Sequence, residues 1–503
     1  MRYTIPEQLE LRRELPVVIG NVDYTEFLQR LERIDELLRE SGLEREWVER
    51  RLEEYEQGGR ERARREGRKY KAMSWKQEAR QARRFRQALR CNIARQLTEK
   101  EFRRFSRRLA ESALLQWFCG VGRLELVRVP TKSTLDRHEK LAWEFEVREI
   151  VNRLNNQAVK GEVGLEKGLD LEGYFSDSTC VKAAIHFPVD WVLLRDGVRT
   201  LVKAMVVIRG HGMKERMPEP EGFIREINRL SIEMSQSRRL ADSRKKRKRV
   251  LRQMKRLNRI VMKHARRYRE ELAVGWEERT DLKKGQVEQI LRRIDGVLER
   301  LPEGIKQAHE RIIGERPVAN DEKILSLYER DIHVIVRGKA DAEVEFGNTL
   351  WLGEQWEGLI IDWKLLKDVS PGDTKLFRSS MERIKGVFGR YPESAAGDRG
   401  LCSAANERWL ESEGIFSALC PRDVEELRER MKDGRFAKAQ KRRGQTEGRI
   451  AIMKNDFLGR PLRNKGFEHR ELAVTWAVLA HNLWLVAGLR VAQEEMRKKK
   501  KAA

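Results

Sequence analysis

The spacing of apolar residues predicts that helices form the first third of the chain. One stripe at helical spacing consists of Phe27, Leu31, Ile34 and Leu38. The pair Gly58-Gly59 interrupts the pattern, and a basic stretch with a second apolar stripe follows it. These features predict a helical hairpin over residues 1–57, either an intrachain core or an assembly element, and a basic helical DNA-binding region over residues 58–168.

Strand patterns appear in the middle of the chain and return in its last third. Residues 171–194, LEGYFSDSTCVKAAIHFPVDWVLL, are rich in β-branched and aromatic side chains, which favours a strand. After a long helical stretch, IHVIV, EVEFGNTLWL and EGLIIDWKLL read as strands, and helices then alternate with strands at YPESAAGDRGL and IFSALC. This order predicts an α/β domain with a mixed sheet and flanking helices, interrupted by an all-helical insertion. Its predicted parts are a first segment at 169–210, a basic helical insertion at 211–330, a second segment at 331–490 and a basic tail at 491–503.

One apolar stretch has almost the length of a membrane span. Residues 471–488, ELAVTWAVLAHNLWLVAG, contain His481 and Asn482 in their middle, and polar groups there are costly in lipid. We therefore expect a buried core helix. The N-terminal residues MRYTIPEQLELRREL lack the apolar core of a signal peptide, so we expect a soluble, cytoplasmic protein.

The charge balance indicates a polyanionic partner. The chain has 105 Lys and Arg against 80 Asp and Glu, a formal net charge of +25. An excess of this size favours nucleic acid, because each phosphate contact releases condensed counterions. The five cysteines form no CxxC pair, which argues against a zinc finger or a disulfide framework. We expect DNA as the partner, no membrane association, and a nucleoid location when DNA is bound.

Two segments are the main candidates for DNA contact. Between Arg238 and Arg269, 16 of 32 residues are Lys or Arg and one is acidic. The densest part of this run consists of Arg244, Lys245, Lys246, Arg247, Lys248 and Arg249. A solvated basic helix is the alternative there. Lys132 follows Pro130 at an expected helix start, where it either contacts phosphate or belongs to an ordinary capped helix.

Three acidic residues have a local context that suggests chemistry. Asp177 lies among small polar residues on an apolar strand, and Asp398 follows a strand in AAGDRG. Glu447 lies on a helix among cations, in QKRRGQTEGRIAIMKNDF. A carboxylate within an apolar strand is costly unless it binds a cation or a donor. Carboxylates that converge from strands and a helix suit Mg²⁺ or Mn²⁺, and two such ions would catalyse displacement at phosphorus.

Other acids compete for the same role. They are Asp190, Asp196, Asp341, Asp362 and Asp373. Asp362 in LIIDWK also interrupts an apolar strand, and we interpret it as an outward-facing residue of an edge or meander strand. We interpret Asp373 as an acid that caps or opens a helix, and expect amides at either position to leave most activity. The histidines form no HxxxH or HExxH, and no GxxxxGK[ST] is present, so neither a zinc hydrolase nor a P-loop ATPase is supported.

The chain resembles bacterial insertion-sequence transposases of the DDE class, whose catalytic domain has an RNase H-like fold. The resemblance covers roughly residues 170–490. The matching stretches are FSDSTCVKAAIHFPVDWVLLRDGVR, KADAEVEFGNTLWL with EGLIIDWKLL, AAGDRGLCSAANERWL, and TEGRIAIMKNDF followed by WAVLAHNLWLVAGL. It implies that Asp177, Asp398 and Glu447 are the catalytic and metal-binding triad. In this family a Tyr, an Arg, the catalytic Glu and a Lys share one helix. Arg443 and Lys454 match the Arg and Lys positions and are expected to bind DNA, whereas Gln440 replaces the Tyr.

The resemblance implies a DNA transposase that binds the ends of an insertion sequence, cleaves them and joins the 3′-hydroxyls to target DNA. Two Mg²⁺ or Mn²⁺ ions would serve each active site, and a homodimer or higher oligomer would pair the ends. The alternatives are an RNase H-like DNA endonuclease without strand transfer, and a non-catalytic DNA-binding derivative. The latter would gain affinity by losing carboxylates near phosphate, so the retained acids disfavour it.

Overall fold

A computed structural model describes residues 14–15, 17–122, 126–237, 242–339 and 342–502. The protein is mixed α/β and 64% helical, with an open mixed sheet. Asp341, residues 238–241 of the basic run and residues 1–13 of the predicted hairpin lie outside the described residues.

Sixteen helices are present in the described chain. The first seven are α1 (Val22–Glu40), α2 (Leu43–Arg65), α3 (Trp75–Thr98), α4 (Phe102–Glu111), α5 (Ala113–Cys119), α6 (Lys132–Glu139) and α7 (Glu144–Val159). The next four are α8 (Asp190–Gly210), α9 (Pro220–Gln236), α10 (Ser243–Arg279) and α11 (Lys284–Ile312). The last five are α12 (Asp373–Phe388), α13 (Ala404–Ser412), α14 (Val424–Arg430), α15 (Gly434–Ile452) and α16 (Phe467–Ala502), and a π-helical segment, Met453–Leu458, follows α15.

The described strands form one sheet. They are β1 (Tyr174–Lys182), β2 (His333–Lys339), β3 (Ala342–Glu354), β4 (Ile360–Leu365), β5 (Ser394–Gly397) and β6 (Phe416–Leu419). The order is β2-β3-β1-β5-β6, and β4 pairs with β3. β1 and β5 are parallel, as are β5 and β6, whereas β3 is antiparallel to β2 and to β4. The strands predicted after residue 332 are therefore confirmed.

The chain forms two compact units. The first contains Met1–Val181, Thr349–Leu366 and Ser370–Ala503, and the second contains Lys182–Asn348 with Lys367–Val369. This division differs from the predicted one. The N-terminal helices share a single core with the α/β part, and the inserted unit starts within β1 rather than at residue 211. The predicted basic tail is the last part of α16.

The N-terminal hairpin belongs to the core of the first unit. Leu31, Ile34 and Leu38 are fully buried, which confirms an intrachain core for this stripe. Trp47 of α2 meets Trp476 of α16 edge to face at 5.7 Å, and its Nε1 donates to the Phe85 carbonyl at 2.9 Å. The break expected at the glycine pair is absent, because α2 continues to Arg65.

Helix α16 is the buried core helix expected from the sequence. It is the one described helix long and apolar enough to cross a membrane, and its most apolar window is 78% buried. Asn482 exchanges hydrogen bonds with both backbone groups of Ile360 on β4, at 2.8 and 3.1 Å. The polar groups that would be costly in lipid thus satisfy the backbone of this strand.

The second unit has its own helical core, built from α8 to α11. The segment 190–194, predicted as part of a strand, is instead the start of α8. Asp190 opens this helix and pairs with Arg311 at 2.9 Å and with Gln307 at 2.9 Å. The apolar residues after Asp190 face that helical core, so the strand prediction was too long.

The buried tryptophan of the hairpin provides a test of this packing. Trp47 is 2% exposed, whereas Trp75 is 66% exposed. We expect Trp47→Ala to lower the free energy of unfolding by about 3–5 kcal/mol, because it leaves a cavity between α2 and α16. Trp75→Ala is the matched control and should change it by about 0.5 kcal/mol or less. Denaturant unfolding measures both, and equal small losses would contradict a core role for the hairpin.

Candidate active site at the carboxyl end of the central parallel strands

The register of the central strands places two of the three predicted acids next to each other. Tyr174 of β1 pairs with Ala395 of β5, and Phe175 pairs with Ala396. Continued by two residues, this register sets Asp177 beside Asp398, which directly follows β5. Neighbouring parallel strands lie about 4.8 Å apart, and paired residues point to the same face. The two aspartates therefore share one face at the carboxyl end of β5.

Local hydrogen bonds fix one oxygen of each aspartate. The backbone N–H of Ser178 donates to Asp177 Oδ1 at 2.7 Å. The backbone N–H of Gly400 donates to Asp398 Oδ1 at 2.9 Å. Both carboxylates are half-buried. Backbone donors orient both groups while most of their acceptor capacity remains for a ligand.

The electrostatics of Asp177 show that several acids meet at this point. Burial raises the pKa of the Asp177 carboxyl from its ordinary value of 3.8 to about 6. The hydrogen bond from Ser178 lowers this pKa, and the charges of Asp398, Asp373 and Glu447 raise it, in that order of size. Glu447 is thus within electrostatic range of Asp177. The structure brings all three predicted acids to one region of the first unit.

Asp373 also belongs to this acidic region, although the sequence had indicated only a helix-start acid. It is the first residue of α12, as expected for an acid at a helix start. Its charge affects Asp177 more strongly than that of Glu447 does. A Cβ placed on Gly400 would lie 3.1 Å from Asp398 Oδ1 and 3.7 Å from Asp373 Oδ2. The signal in the sequence was only a helix-start acid after a strand, which gives no indication of where that helix starts in space.

Helix α15 covers the face of the sheet on which Asp177 lies. Phe175 and Ala396 pack in one small core with Ala439 and Phe436 of α15. Side chains two residues apart on a strand share a face, so Asp177 points to the same side as Phe175. The buried face of α15 includes Arg442, Thr446 and Ile450. Glu447 is exposed and lies beside this face, about 100° around the helix axis from Thr446.

A buried carboxylate on β3 holds α15 in place. Glu354 is 2% exposed and accepts from Arg442 Nη1 at 3.0 Å, from Thr446 Oγ1 at 2.8 Å and from Arg449 Nε at 2.8 Å. The guanidinium of Arg442 also donates to the carbonyls of Trp356 and Gln355, at 2.6 and 3.0 Å. These bonds fasten two turns of the helix, on either side of Glu447, to the end of β3.

Two of the cations near Glu447 in the sequence belong to this network. Arg442 and Arg449 pair with Glu354 inside the protein, so they do not form an open DNA-binding surface. Gly358 makes room for Arg449, because a Cβ at this position would lie 2.1 Å from Arg449 Nη2. No local pattern in the sequence pointed to Glu354, because its partners lie about 90 residues later in the chain.

The predicted Arg and Lys of the helix lie in different environments. Arg443 is half-buried and donates to Gln440 Oε1 at 3.2 Å, and Gln440 in turn donates to the Ala418 carbonyl of β6 at 2.5 Å. Lys454 is 8% exposed, and its Nζ donates to Thr179 Oγ1 at 3.1 Å. Thr179 comes two residues after Asp177 on β1. Lys454 therefore lies beside the acids rather than on the open surface expected for DNA contact.

The competing acids have structural partners. Asp362 is 3% exposed and not outward-facing as predicted. It accepts two hydrogen bonds from Arg383 and one from Ser380. An amide at this position would weaken a buried ion pair, so a loss of activity there would reflect stability. In the second unit, Asp196 accepts from Arg195 at 2.9 Å.

The predicted DNA-binding residues of the second unit are partly engaged within that unit. Lys248 pairs with Glu315 at 2.8 Å, and Arg249 pairs with Glu233 at 3.2 Å. The guanidinium of Arg247 lies 5.8 Å from the ring centroid of Trp191. Arg244 and Lys245 are exposed, and Lys246 is half-buried. The run lies on helix α10, and only some of its charged side chains are exposed to solvent.

Lys132 has the position expected for it. It is the exposed first residue of α6, and the Thr131 side chain caps this helix by accepting from the Thr134 N–H at 3.3 Å. The capped helix start is confirmed, whereas contact with phosphate remains a prediction.

The acids lie in one region but are not arranged as a complete metal-binding site. Among the described residues, no three His, Cys, Asp or Glu side chains are grouped tightly enough to hold a metal ion. Comparisons with protein-family models, with curated proteins and with solved structures gave no match for this chain.

The Glu354 network predicts a large loss of stability when its carboxylate is removed. We expect Glu354→Ala to lower the free energy of unfolding by about 3–5 kcal/mol, because two guanidinium groups would lose their buried partner. The matched control is Glu425→Ala, which removes an exposed pair with Arg428 and should cost about 0–1 kcal/mol. Denaturant unfolding of both variants measures the difference. A loss for Glu354→Ala no larger than that of the control would refute the network's role.

The raised pKa of Asp177 predicts that the acidic region lowers the stability of the fold in a pH-dependent way. The Asp177 carboxyl stays protonated up to a pH of about 6 in the folded state, whereas in the unfolded state it loses its proton near pH 3.8. The free energy of unfolding therefore falls as the pH rises between these values. In metal-free buffer, Asp177→Asn should therefore be more stable than the unsubstituted protein above pH 6, by about 2–3 kcal/mol. Below pH 3.8 the difference should vanish. Thermal unfolding across pH measures it, and a gap that does not change with pH would contradict the assignment.

Proposed function

We propose that this protein is a metal-dependent DNA-cleaving and DNA-joining enzyme, a transposase of the DDE class. The observation that carries the proposal is the strand register that sets Asp177 beside Asp398, with the charge of Glu447 acting on the same group. The sequence resemblance names these three residues as the triad. Their meeting in one unit, from positions far apart in the chain, is what an active site requires.

The architecture supports an RNase H-like assignment of the catalytic domain. A mixed sheet is flanked by helices, and a helical unit separates the first strand from those that follow. The expected catalytic residues lie within a central strand, at the end of its parallel neighbour and on a late helix. This arrangement agrees with the order strand, strand end and helix that the resemblance implies.

The donor set suits a hard divalent cation. Carboxylate oxygens are the ligands that Mg²⁺ and Mn²⁺ prefer, and the mutual repulsion of the acids at Asp177 favours a counter-charge. Asp177, Asp398 and Glu447 would hold the ions, with Asp373 close to the first two. When bound, such ions supply Lewis-acid activation of water or a 3′-hydroxyl. The backbone N–H groups of Ser178 and Gly400 each hold one carboxylate oxygen of an aspartate in place.

Substrate binding would rely on cations outside the acidic region. The net charge of +25 and the exposed Arg244 and Lys245 of the second unit fit a DNA partner. Two or more copies of the chain would be needed to pair the two ends of a DNA element. An endonuclease without strand transfer is the second candidate, because its active site would contain the same acids. The products separate the two: a transposase joins 3′-hydroxyls to a second DNA, whereas an endonuclease leaves only nicks or breaks.

The acidic triad predicts a clean separation of catalysis from DNA binding. Asp177→Asn, Asp398→Asn and Glu447→Gln should each reduce Mg²⁺-dependent cleavage by about 10²–10³-fold or more, since each removes a charge needed to hold cations. Binding of labelled DNA in EDTA should persist or tighten, because a negative group near phosphate is lost. Gel assays of cleavage and strand transfer, together with binding in EDTA, measure the two effects.

A matched control strengthens the test. Glu411 is an exposed acid of α13, so Glu411→Gln makes the same chemical change away from the acidic region and should leave activity intact. In contrast to the expectation from the sequence, Asp373→Asn should lower cleavage, because Asp373 acts electrostatically on Asp177. Full activity of Asp177→Asn, or equal losses in the control, would refute the proposed function.

A further inference from the structure

A basic groove of about 820 Å³ lies in the first unit, apart from the acidic region. It is formed by the end of α3, the start of α4, helix α6 and residues 457–465. Nine Lys or Arg side chains and four Asp or Glu side chains line it. The groove is therefore cationic, with five more positive than negative side chains.

Most acids of the groove are already paired with its cations. Arg95 and Glu139 form a buried pair, and Lys140 pairs with Asp136 at 3.0 Å. Glu101 pairs with two arginines at once, Arg104 and Arg463. These pairs neutralise part of the charge that lines the groove. The remaining cations produce its positive electrostatic potential.

Four exposed cations of the groove have no such partner. They are Arg103, Lys132, Arg460 and Lys465. None of them forms an ion pair with any residue that the structure describes. They come from three different segments, α4, α6 and the loop after the π-helical segment, so the rim presents positive charge on several sides. Such a rim fits a polyanion that runs through the groove.

The floor of the groove is apolar and partly aromatic. Phe102 is half-buried, and the guanidinium of Arg95 lies 4.6 Å from its ring centroid. The buried Phe457 and Leu458 continue this floor. A cationic rim over an aromatic floor is the arrangement that binds single nucleic acid strands, because phosphates contact the cations while bases stack on the rings. Paired bases of a duplex are not available for such stacking.

The groove is joined to the acidic region by one short backbone segment. Phe457 and Leu458 are the last residues of the π-helical segment Met453–Leu458. Lys454 of the same segment donates to Thr179, two residues after Asp177 on β1. The same short segment therefore contacts both the groove and the strand that carries Asp177.

We propose that this groove binds an unpaired stretch of a DNA strand next to the acidic active site. The inference rests on the proposed function and gives it a specific form. Arg103, Lys132, Arg460 and Lys465 contact phosphates, and Phe102 stacks with a base. The enzyme thus acts on DNA ends whose strands are locally separated.

The test is a four-residue variant, R103A/K132A/R460A/K465A, made in the full chain. Its matched control, R45A/K160A/K167A/R408A, removes the same charge from exposed positions of the first unit outside the groove. A labelled oligothymidylate and a duplex of equal length are titrated in EDTA at several salt concentrations. Thermal unfolding of both variants should match that of the unsubstituted protein, because all eight side chains are exposed.

The groove variant should bind the single strand at least about tenfold more weakly, and its salt dependence should be less steep by about 3, at ~0.7 per lost phosphate contact. The control should change little. Phe102→Leu should weaken single-strand binding about tenfold and leave the salt dependence unchanged, because stacking releases no counterions.

Two results would overturn the groove proposal. One is equal single-strand affinity of the groove variant and the control. The other is an equal loss of duplex and single-strand affinity, which would make the groove a duplex-binding surface. Cleavage by the unsubstituted protein in Mg²⁺ is measured in parallel. If the groove effect is seen and no cleavage occurs, the proposed function fails alone, whereas normal cleavage with an unaffected groove variant refutes the groove alone.

Discussion

The position of helix α15 depends on one buried carboxylate, that of Glu354. Burying an anion is costly, and here two guanidinium groups and a hydroxyl offset the cost. Those donors come from successive turns of α15, so the ion network sets both the rotation and the axial position of the helix. Glu447 projects from the same turns. The position of the exposed Glu447 therefore depends on the buried Glu354 of β3. Gly358 permits the close approach of Arg449 to this network.

The Glu354 network stabilises the fold, whereas the acidic region destabilises it. Asp177, Asp398 and Asp373 concentrate like charges where burial already disfavours an ionised carboxyl. A fold built only for stability would place amides or apolar residues there. Functional sites commonly retain such local conflicts, which the surrounding structure compensates. Around Asp177 that compensation is visible in the packed Phe175 and Ala396, in the Glu354 network and in the bond from Lys454 to Thr179.

Patterns of local origin were readable in the sequence, and long-range pairings were not. The strands after residue 332, helix α15 and the buried nature of α16 follow from periodicity and composition. The break expected at Gly58-Gly59 does not occur, because Gly59 lies inside a helix where its missing side chain makes room for the Tyr70 ring. Asp362 looked like a surface acid because Arg383, its partner, lies on the next helix. Likewise, the acids were predicted as a set from resemblance, whereas the contribution of Asp373 depends on where α12 starts in space.

The strands that carry Asp177 and Asp398 are 221 residues apart in the chain, and most of that interval belongs to the second unit. Closing so long a loop would slow the pairing of β1 with β5 if the intervening chain were unstructured. The second unit changes this, because the N–H of Ala183 donates to the Phe346 carbonyl at 3.0 Å. Its two ends are therefore neighbours once it has folded. To the rest of the chain the insertion then acts as a short connection between adjacent strands, and we expect the central sheet to assemble after the helical unit during synthesis.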